Sequence, residues 1–320
     1  MKIRIGSRGS ALALAQTNAV AETLRGNGHE VEVVIIQTAG DRDVASKFSD
    51  IGAPGVFVRE IEAALLGGDI DLAVHSYKDL PSAEPDGLHV AAIPERLDPA
   101  DYLVARPEFV VHVVGAAADA PLPLAPRAVV GTASERRRAL LHSLRPDLQL
   151  ERIRGNVPTR LDKLREGPYQ AIVLAGAGLQ RLLRAADAPD LGLEDFVDLR
   201  LDPALFVPSP AQGAIALQCR REDAVEEALA PLHDEAAARP VRAERELLRL
   251  VDGGCSLPFG AWARAIDGGR LELHAVIEAE GRLVRSMGRG SEPEELAARV
   301  WEALEADGAL DGVQHGEAVE

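Results

Sequence analysis

A thiol with room around it is the first feature of this chain that could do chemistry. Cys255 lies in the run Gly253–Pro258, which reads GGCSLP, so the thiol sits between two glycines and a proline instead of inside an apolar run. Glycine frees the backbone and proline ends regular structure, so a large group can approach the sulfur. A single cysteine is more commonly an inert small hydrophobe. A functional thiol therefore needs support from other parts of the chain.

A lysine and an aspartate stand side by side where a predicted strand ends. Lys78 and Asp79 follow the apolar run Ile70–His75, and Pro81 closes the turn. Catalytic groups of α/β domains are often found at strand ends. The lysine charge favours an ionised carboxylate, which can stabilise a cationic intermediate and accept a proton. An ordinary surface turn is the competing interpretation.

Arginines gather in one part of an otherwise acidic chain. The net charge is −16, which argues against a nucleic-acid partner, and only four of the 35 basic residues are lysines. A GC-rich genome explains the excess of arginine but not its placement. Eight arginines fall close together, at Arg136, Arg137, Arg138, Arg145, Arg152, Arg154, Arg160 and Arg165. Guanidinium groups bind carboxylates and phosphates in bidentate fashion, so this cluster predicts an anion site.

Three basic groups lie where a loop turns into a predicted helix. They are Arg8 with Ser10, the run Arg136–Arg138 behind an N-cap at Ser134, and Arg154. The positive end of a helix dipole disfavours each cation there by about 0.3–1 kcal/mol, so an anion should compensate. Free amides at helix N-termini bind the same anions. A solvated basic face is the alternative.

Alternating strand and helix patterns position these residues. Strands are predicted at Lys2–Gly6, Val31–Gln37, Ile70–His75, Ala128–Gly131, Leu150–Arg154 and Ala171–Ala175, with helices between them. A hairpin-like pair of strands follows at Trp262–Ile266 and Leu271–Ile277. This order predicts two parallel-rich α/β lobes and a smaller α+β domain.

Two predicted linkers, around Pro99 and over Leu201–Pro210, indicate two crossings between the lobes. Two crossings would make a double hinge with a ligand cleft between the lobes. We expect a first lobe over 1–99, completed by about 205–222, and a second over 100–204. The C-terminal domain, 223–320, would carry Cys255.

Several observations suggest a cytoplasmic protein. No apolar run approaches the roughly 20 residues of a membrane span, and Met1–Ile5 already has a strand pattern. Cys219 and Cys255 are the only cysteines, which gives no disulfide framework and predicts a reducing compartment. Cys219 lies in a strand pattern, Ile215–Cys219, and is expected to be packed in a sheet.

Eight stretches resemble, in order, the signatures of the porphobilinogen deaminase (hydroxymethylbilane synthase) family. They are Gly6–Gln16, Gly55–Glu60, Val74–Pro81, Gly131–Arg137, Leu150–Leu164, Ala175–Leu182, Ala211–Arg220 and Gly253–Gly260. The resemblance implies two α/β lobes of the kind seen in periplasmic binding proteins, and a monomer with no membrane partner. It implies a transferase of haem biosynthesis that joins four porphobilinogen molecules head to tail into hydroxymethylbilane and releases ammonia each time.

The resemblance also implies roles for individual residues. A dipyrromethane cofactor would be held by a thioether to Cys255, with Asp79 and Lys78 as catalytic residues and no metal. Positions that match cofactor-binding residues are Ser10, Lys78, Ser134, Arg136, Arg137, Arg160 and Gln212. Positions that match substrate-binding residues are Arg8, Phe57, Arg154 and Arg181. One departure is the run Gly52–Gly55, which reads GAPG where many members have Gly-Gly-Lys-Gly.

Two other functions fit part of the pattern. A non-catalytic two-lobed anion-binding module would share the lobes and the arginines, but it has no use for an accessible Cys255. A thiol hydrolase would need a histidine near Cys255, and no sequence motif pairs one with it. A colour reaction of the purified protein with Ehrlich's reagent would separate these functions, because only a bound dipyrromethane reacts.

Overall fold

The computed structural model describes residues 1–37, 58–111, 122–252 and 258–309. Phe57, the GAPG sequence at 52–55, Cys255 and the acidic tail lie outside the described residues. None of the described helices is both long and apolar enough to cross a membrane.

The first lobe is built on a five-stranded sheet with the order β2-β1-β3-β10-β4. Strand β1 runs parallel to β2 and β3, whereas β10 runs antiparallel to β3 and β4. The elements are β1 (Lys2–Ser7), α1 (Ala11–Gly26), β2 (Glu30–Ile35), α2 (Arg59–Leu66), β3 (Leu72–Ser76), β4 (Leu88–Ala92) and β10 (Ile215–Arg220). Apolar residues of β1, β3 and β10 pack against α1, which buries one face of the sheet.

The second lobe repeats this arrangement in a sheet with the order β7-β6-β8-β5-β9. Strand β6 runs parallel to β7 and β8, and β5 runs antiparallel to β8 and β9. The elements are β5 (Asp101–Ala105), β6 (Val129–Gly131), α3 (Glu135–Leu144), β7 (Gln149–Glu151), α4 (Val157–Glu166), β8 (Ala171–Ala175), α5 (Gly176–Arg184) and β9 (Val197–Arg200).

In each sheet the fourth strand is the one at which the chain arrives from the other lobe. β5 follows the lobe-1 strands in sequence but lies in the second sheet, and β10 follows the lobe-2 strands but lies in the first. The chain therefore passes between the sheets twice. The predicted α/β class and the shared architecture of the two halves are confirmed.

The C-terminal part contains a three-stranded antiparallel sheet, β11-β12-β13, packed against two helices. The elements are α6 (Val225–Leu229), α7 (Glu235–Asp252), β11 (Phe259–Ile266), β12 (Arg270–Ala279), β13 (Arg282–Gly290) and α8 (Pro293–Ala306). The expected hairpin of two strands is confirmed as β11 and β12, but the third strand, β13, was not predicted. It is an edge strand of charged residues and glycines in which only Val284 is buried, so its apolar alternation is weak.

Strand β7 is also shorter than the predicted Leu150–Arg154. The ladder ends when Thr132 N donates to Glu151 O, and the chain then turns through Gly155, whose φ is 114°. This left-handed conformation suits glycine and leads to Asn156, the N-cap of α4. Strand β7 therefore ends at Glu151, and the following residues form the turn that leads into α4.

A buried ion pair joins the three parts of the chain. Glu244 of α7 is fully buried and receives both terminal nitrogens of Arg96, at 2.8 and 2.9 Å. The same carboxylate accepts the backbone N–H of Ala211, before β10, and of Ala263, in β11. Glu244 thereby fixes the C-terminal domain against both lobe crossings.

Candidate active site

Lys78 and Asp79 lie on a single 3-10 turn directly after β3. The turn is held by two backbone bonds, from Tyr77 N to Ala214 O at 3.1 Å and from Leu80 N to Tyr77 O at 3.2 Å. Lys78 is partly buried, whereas Asp79 is exposed. The turn therefore presents a carboxylate to solvent and directs its lysine inward.

The lysine points to a glutamine on the second crossing. Lys78 Nζ donates to Gln212 Oε1 at 3.3 Å. Burial lowers the pKa of Lys78 to about 8; Asp79 raises it, Arg137 lowers it, and Asp101 and Arg136 have smaller opposing effects. A lysine with this pKa is still charged at neutral pH but loses its proton at mildly alkaline pH.

A fully buried aspartate at the start of β5 organises the arginines of the second lobe. Asp101 accepts from Arg136 Nη2 at 2.9 Å and from Arg137 Nη2 at 2.8 Å. Gln212 Nε2 also donates to Asp101, at 2.8 Å. Burial raises the pKa of Asp101, but the charges of Arg137 and Arg136 and the Gln212 hydrogen bond outweigh burial, so the pKa lies well below its usual range.

Lys78, Gln212, Asp101 and the two arginines thus form one continuous polar network. Gln212 connects the lysine of the first lobe to the aspartate of the second, and it donates also to Pro99 O at 2.8 Å. Both crossings between the lobes therefore contribute to the network. Arg136 and Arg137 are each 7% exposed, which excludes the solvated basic face considered from the sequence.

The anion expected beside the arginines at the start of α3 is present in the protein itself. Asp101 was missed in the sequence analysis, although it stands at the head of an apolar run, Asp101–Ala105. Antiparallel pairing of β5 with β8 brings that carboxylate beside the first turn of α3. The available signal was a single acidic residue at the start of an apolar run. The sequence does not show which residues it binds, because only the order of strands in the sheet brings Arg136 and Arg137 to it.

One donor of this network has no partner among the residues that the structure describes. The Nε of Arg137 is buried without a hydrogen-bond acceptor, although Nη1 donates to Val173 O at 2.8 Å and Nη2 to Asp101. An unsatisfied buried donor is costly, and a carboxylate of a bound molecule would satisfy it.

Two more predicted arginines lie close to this network. Arg160 of α4 donates from Nε to Gly155 O at 2.7 Å, and both burial and the charge of Arg137 lower its pKa. Arg181 of α5 donates from Nη2 to Gly213 O at 2.6 Å, next to Gln212. Burial and then Arg184 lower the pKa of Arg181 to about 10.

Serines cap two of the three helices predicted to bind anions. Ser10 Oγ accepts from Ala13 N at the start of α1, and Ser134 Oγ accepts from Arg137 N at the start of α3, both at 3.4 Å. The N-cap predicted at Ser134 is confirmed. Arg8 and Arg154 lie on the loops that precede α1 and α4, where first-turn amides lack intrahelical partners.

The chain returns to this site at Gly260 and Ala261, a few residues after Cys255 in sequence. Ala261 N donates to Pro208 O at 3.0 Å, and Gly260 lies so close to Val207 O and Arg136 that a Cβ would be 2.8 and 3.1 Å from them. Only glycine fits this approach. The start of β11 is therefore packed directly against the Asp101 network.

The fold and the site define a two-lobed α/β protein with a buried arginine cluster, to which a small α+β domain is attached. Two family models match the sequence. Residues 3–228 match the dipyromethane cofactor binding domain of porphobilinogen deaminase, and residues 238–306 match the C-terminal domain of porphobilinogen deaminase.

Curated relatives match over most of their length. Porphobilinogen deaminase of Roseiflexus sp. (strain RS-1) is 46% identical over 90% of this chain and 89% of its own. That of Syntrophobacter fumaroxidans is 42% identical over 91% of this chain and 89% of its own. The chain belongs to the porphobilinogen deaminase family. It is a transferase of tetrapyrrole biosynthesis that polymerises porphobilinogen and uses a dipyrromethane cofactor.

Solved structures of solute-binding proteins are more distant. An ancestral cationic amino acid solute binding protein is 11% identical, with a TM-score of 0.43 over 72% of this chain and 87% of its own. A Salmonella typhimurium periplasmic binding protein is 10% identical, with a TM-score of 0.37 over 78% and 98%. Since both TM-scores are below 0.5, the fold class follows from the strand order described above.

Proposed function

We propose that the Lys78–Asp79 turn and the Asp101 network form the active site that joins four porphobilinogen molecules into hydroxymethylbilane. The observation that carries this proposal is the continuous connection from Lys78 through Gln212 and Asp101 to Arg136 and Arg137. Asp79 is exposed and directly follows Lys78, the first residue of that connection. A reactive carboxylate and a rigid set of cations thus adjoin one another.

The residues present fit a dipyrromethane. Each pyrrole ring of the cofactor carries an acetate and a propionate, so a two-ring group brings four carboxylates. The buried Arg137 Nε is an unsatisfied donor suited to one of them. We assign cofactor binding to Ser10, Lys78, Ser134, Arg136, Arg137, Arg160 and Gln212. We assign substrate binding to Arg8, Phe57, Arg154 and Arg181.

Arg136 supports the site in a different way from Arg137. Its Nη1 donates to Val207 O and its Nη2 to Asp101, so both terminal nitrogens are already engaged. We infer that Arg136 contributes its charge and holds Asp101 in place, and that Arg137 offers the donor to the ligand. The two neighbouring arginines then have separate roles.

The short stretch of chain between Cys255 and Gly260 supports a role for Cys255 at this site. Gly260, five residues further along, contacts Arg136. A fully extended chain spans at most about 3.6 Å per residue, so the five residues from Cys255 to Gly260 can span no more than about 18 Å. We propose that Cys255 bears the cofactor as a thioether. Cys219 is unsuited, since it is fully buried in β10 and burial raises the pKa of its thiol to about 12.

Asp79 would act on the incoming substrate. As the C–N bond of the protonated aminomethyl group breaks, the nitrogen leaves with the bonding pair and departs as ammonia, and the pyrrole nitrogen of that substrate becomes electron-poor. The Asp79 carboxylate stabilises this positive charge and then accepts the proton that the attacking α-carbon loses. The cofactor, when bound, supplies the first nucleophilic α-carbon and keeps it close to the site.

Lys78 would bind a ligand carboxylate. Its ammonium group is partly buried between the Asp79 turn and Gln212, and it is charged at neutral pH. A ligand carboxylate would stabilise that charge further. Lys78 therefore orients the chain of rings while Asp79 performs the proton transfer.

The remaining assignments follow from this proposal. We propose a cytoplasmic monomer without a nucleic-acid partner, in agreement with the net charge of −16. We propose domains at 1–99 with 205–222, at 100–204 and at 223–320. The Arg96–Glu244 pair would then connect the hinge region to the domain that carries the cofactor.

Intact mass spectrometry of the purified protein tests the proposal. The mass should exceed the sequence mass by two porphobilinogen units less two ammonias, and Ehrlich's reagent should give a colour. Cys255→Ser should have its bare sequence mass, give no colour and be inactive. Cys219→Ala, the matched control, should keep the added mass, the colour and the activity. Added mass on a Cys219 peptide, or none on freshly purified active protein, would refute the assignment.

A further inference from the structure

Three side chains from separate elements converge at the end of β10 that is remote from Gln212. Cys219 of β10 stands opposite His89 of β4 in the antiparallel ladder, and Glu226 of α6 lies beside them. Cys219 Sγ is 3.7 Å from His89 Nε2, which is 3.2 Å from Glu226 Oε1. All three potential ligand atoms lie within 4.8 Å of one another.

These separations match the edges of a tetrahedral metal site. Zinc binds sulfur at about 2.3 Å, imidazole nitrogen at about 2.0–2.1 Å and carboxylate oxygen at about 2.0–2.2 Å. Tetrahedral angles then place the ligand atoms about 3.3–3.6 Å apart. The Sγ–Nε2 and Nε2–Oε1 distances each differ from this range by about 0.1 Å, and the sulfur and the carboxylate oxygen lie no more than 4.8 Å apart, so a side-chain shift of about 1 Å would close the site.

Hydrogen bonding alone does not satisfy the cluster well. A neutral imidazole nitrogen either carries one proton or offers one lone pair. His89 Nε2 faces both the thiol of Cys219 and the carboxylate of Glu226, and one proton cannot serve both contacts at full strength. A metal ion at the centre would bind all three atoms through their lone pairs.

The surrounding turn orients the carboxylate and keeps a second acid away. Glu222 N donates to Glu226 Oε1 at 2.8 Å. Asp223 is paired with Arg220, at 2.6 Å, and accepts Val225 N. Metal binding would displace the proton of the Cys219 thiol, and the donor set would then be one thiolate, one imidazole and one carboxylate, whose charge of −2 a divalent cation would neutralise.

We propose that His89, Cys219 and Glu226 form a zinc-type metal site in the first lobe. The sulfur and nitrogen ligands favour a thiophilic divalent ion over Mg²⁺ or Ca²⁺, which prefer oxygen ligands throughout. Cys219 is fully buried, but the side chains of His89 and Glu226 are 19% and 36% exposed. Solvent can therefore supply the fourth ligand from that side.

The position of the site indicates a stabilising role. Four residues of strand separate Ile215, next to the active-site network, from Cys219, which is about 13 Å. A metal there would tie β4, β10 and α6 together, and β10 is the strand that returns from the second lobe. Ions that bind only the folded state raise its stability.

Zinc titration of the tag-free protein tests this proposal. We expect one Zn²⁺ per chain and a rise in Tm with zinc concentration. Cys219→Ala, His89→Gln and Glu226→Gln should each weaken binding at least about tenfold, because changes even outside the ligand shell cost that much. Loaded with Co²⁺, the wild type should show a thiolate-to-metal charge-transfer band that Cys219→Ala lacks.

Two controls keep the result specific. His142→Gln, which removes an exposed histidine of α3, should bind zinc as the wild type does. Cys255→Ser should also retain zinc binding, because Cys255 is not one of the three proposed ligands. A wild type that binds no stoichiometric zinc, or a Cys219→Ala variant that binds it equally well, would overturn the proposal.

Discussion

Two aspartates of this protein, Asp79 and Asp101, both act on the charge of Lys78 but lie in opposite surroundings. Asp79 is exposed on a short turn. Asp101 is fully buried, accepts from two arginines and a glutamine, and has a pKa well below its usual range. A carboxylate held by three donors has little capacity to accept a proton. The comparison assigns chemistry to Asp79 and organisation of the cations to Asp101.

The protein should lose stability at low pH when Asp101 is protonated. Because the pKa of Asp101 is lowered in the folded state, its stabilising contribution is present at neutral pH. It is lost as the pH falls below the ordinary aspartate pKa of about 3.9, where the unfolded chain takes up the proton.

Replacement of Asp101 by alanine should have the largest effect. It leaves Arg136 and Arg137 buried without their anion, which should lower the free energy of unfolding by about 3–5 kcal/mol and abolish cofactor loading. Chemical denaturation and intact mass measure the two effects. Asp79→Ala is the matched control and should unfold as the wild type does. Equal stability of Asp101→Ala and Asp79→Ala would contradict the structural role assigned to Asp101.

Asp79→Asn should lower kcat by about 10²–10⁴-fold, because the amide neither stabilises the cationic intermediate nor accepts its proton. Stability should change by no more than about 0.5 kcal/mol, since the side chain is exposed. The dipyrromethane should remain attached, as seen by mass and Ehrlich colour. Turnover close to that of the wild type would remove Asp79 from the mechanism.

Arg137→Leu should weaken binding of the cofactor or the early chain by about 1.5–3 kcal/mol, the usual contribution of a charged hydrogen bond. The unpartnered Nε and the bond to Asp101 are both lost. Cofactor loading and single-turnover kinetics report the effect. The neighbouring Arg138→Leu, which loses a bond to Leu150 O and an exposed contact with Glu135, should load normally. Normal loading in both variants would argue against a ligand at Arg137.

The smallest expected effect concerns pH. Lys78 has a pKa of about 8, lowered chiefly by burial, so the free enzyme loses this positive charge as the pH rises through about 8. The kcat/KM profile should therefore fall on the alkaline side near that pH. Lys78→Arg should retain activity and move the fall to higher pH, since guanidinium stays charged. An alkaline limb that does not move would mean that another group titrates.

The α/β class, the parallel strands and the family followed from the sequence, because apolar periodicity and ordered motifs are local properties. Strands β4, β5 and β9 were not predicted. Strand β8 begins and ends at the predicted residues, and helix α3 begins directly after its predicted N-cap, Ser134. Edge strand β13 did not follow, because an edge strand buries few side chains and its pattern is weak. The roles of Cys255 and Phe57 remain predictions, since both residues lie outside the described part.

The candidate residues of the site were read from the sequence, but their pairing was decided by the tertiary structure. The sequence places three arginines in the first turn of α3, and a helix dipole then calls for an anion. Which anion it is depends on β5 lying antiparallel to β8, which brings Asp101 from 35 positions away to Arg136. The fold likewise brings Gln212 to Lys78 across 134 positions. The apolar periodicity of the sequence determines each helix or strand separately. The packing of the sheets and of the two lobe crossings determines which charged side chains are buried together.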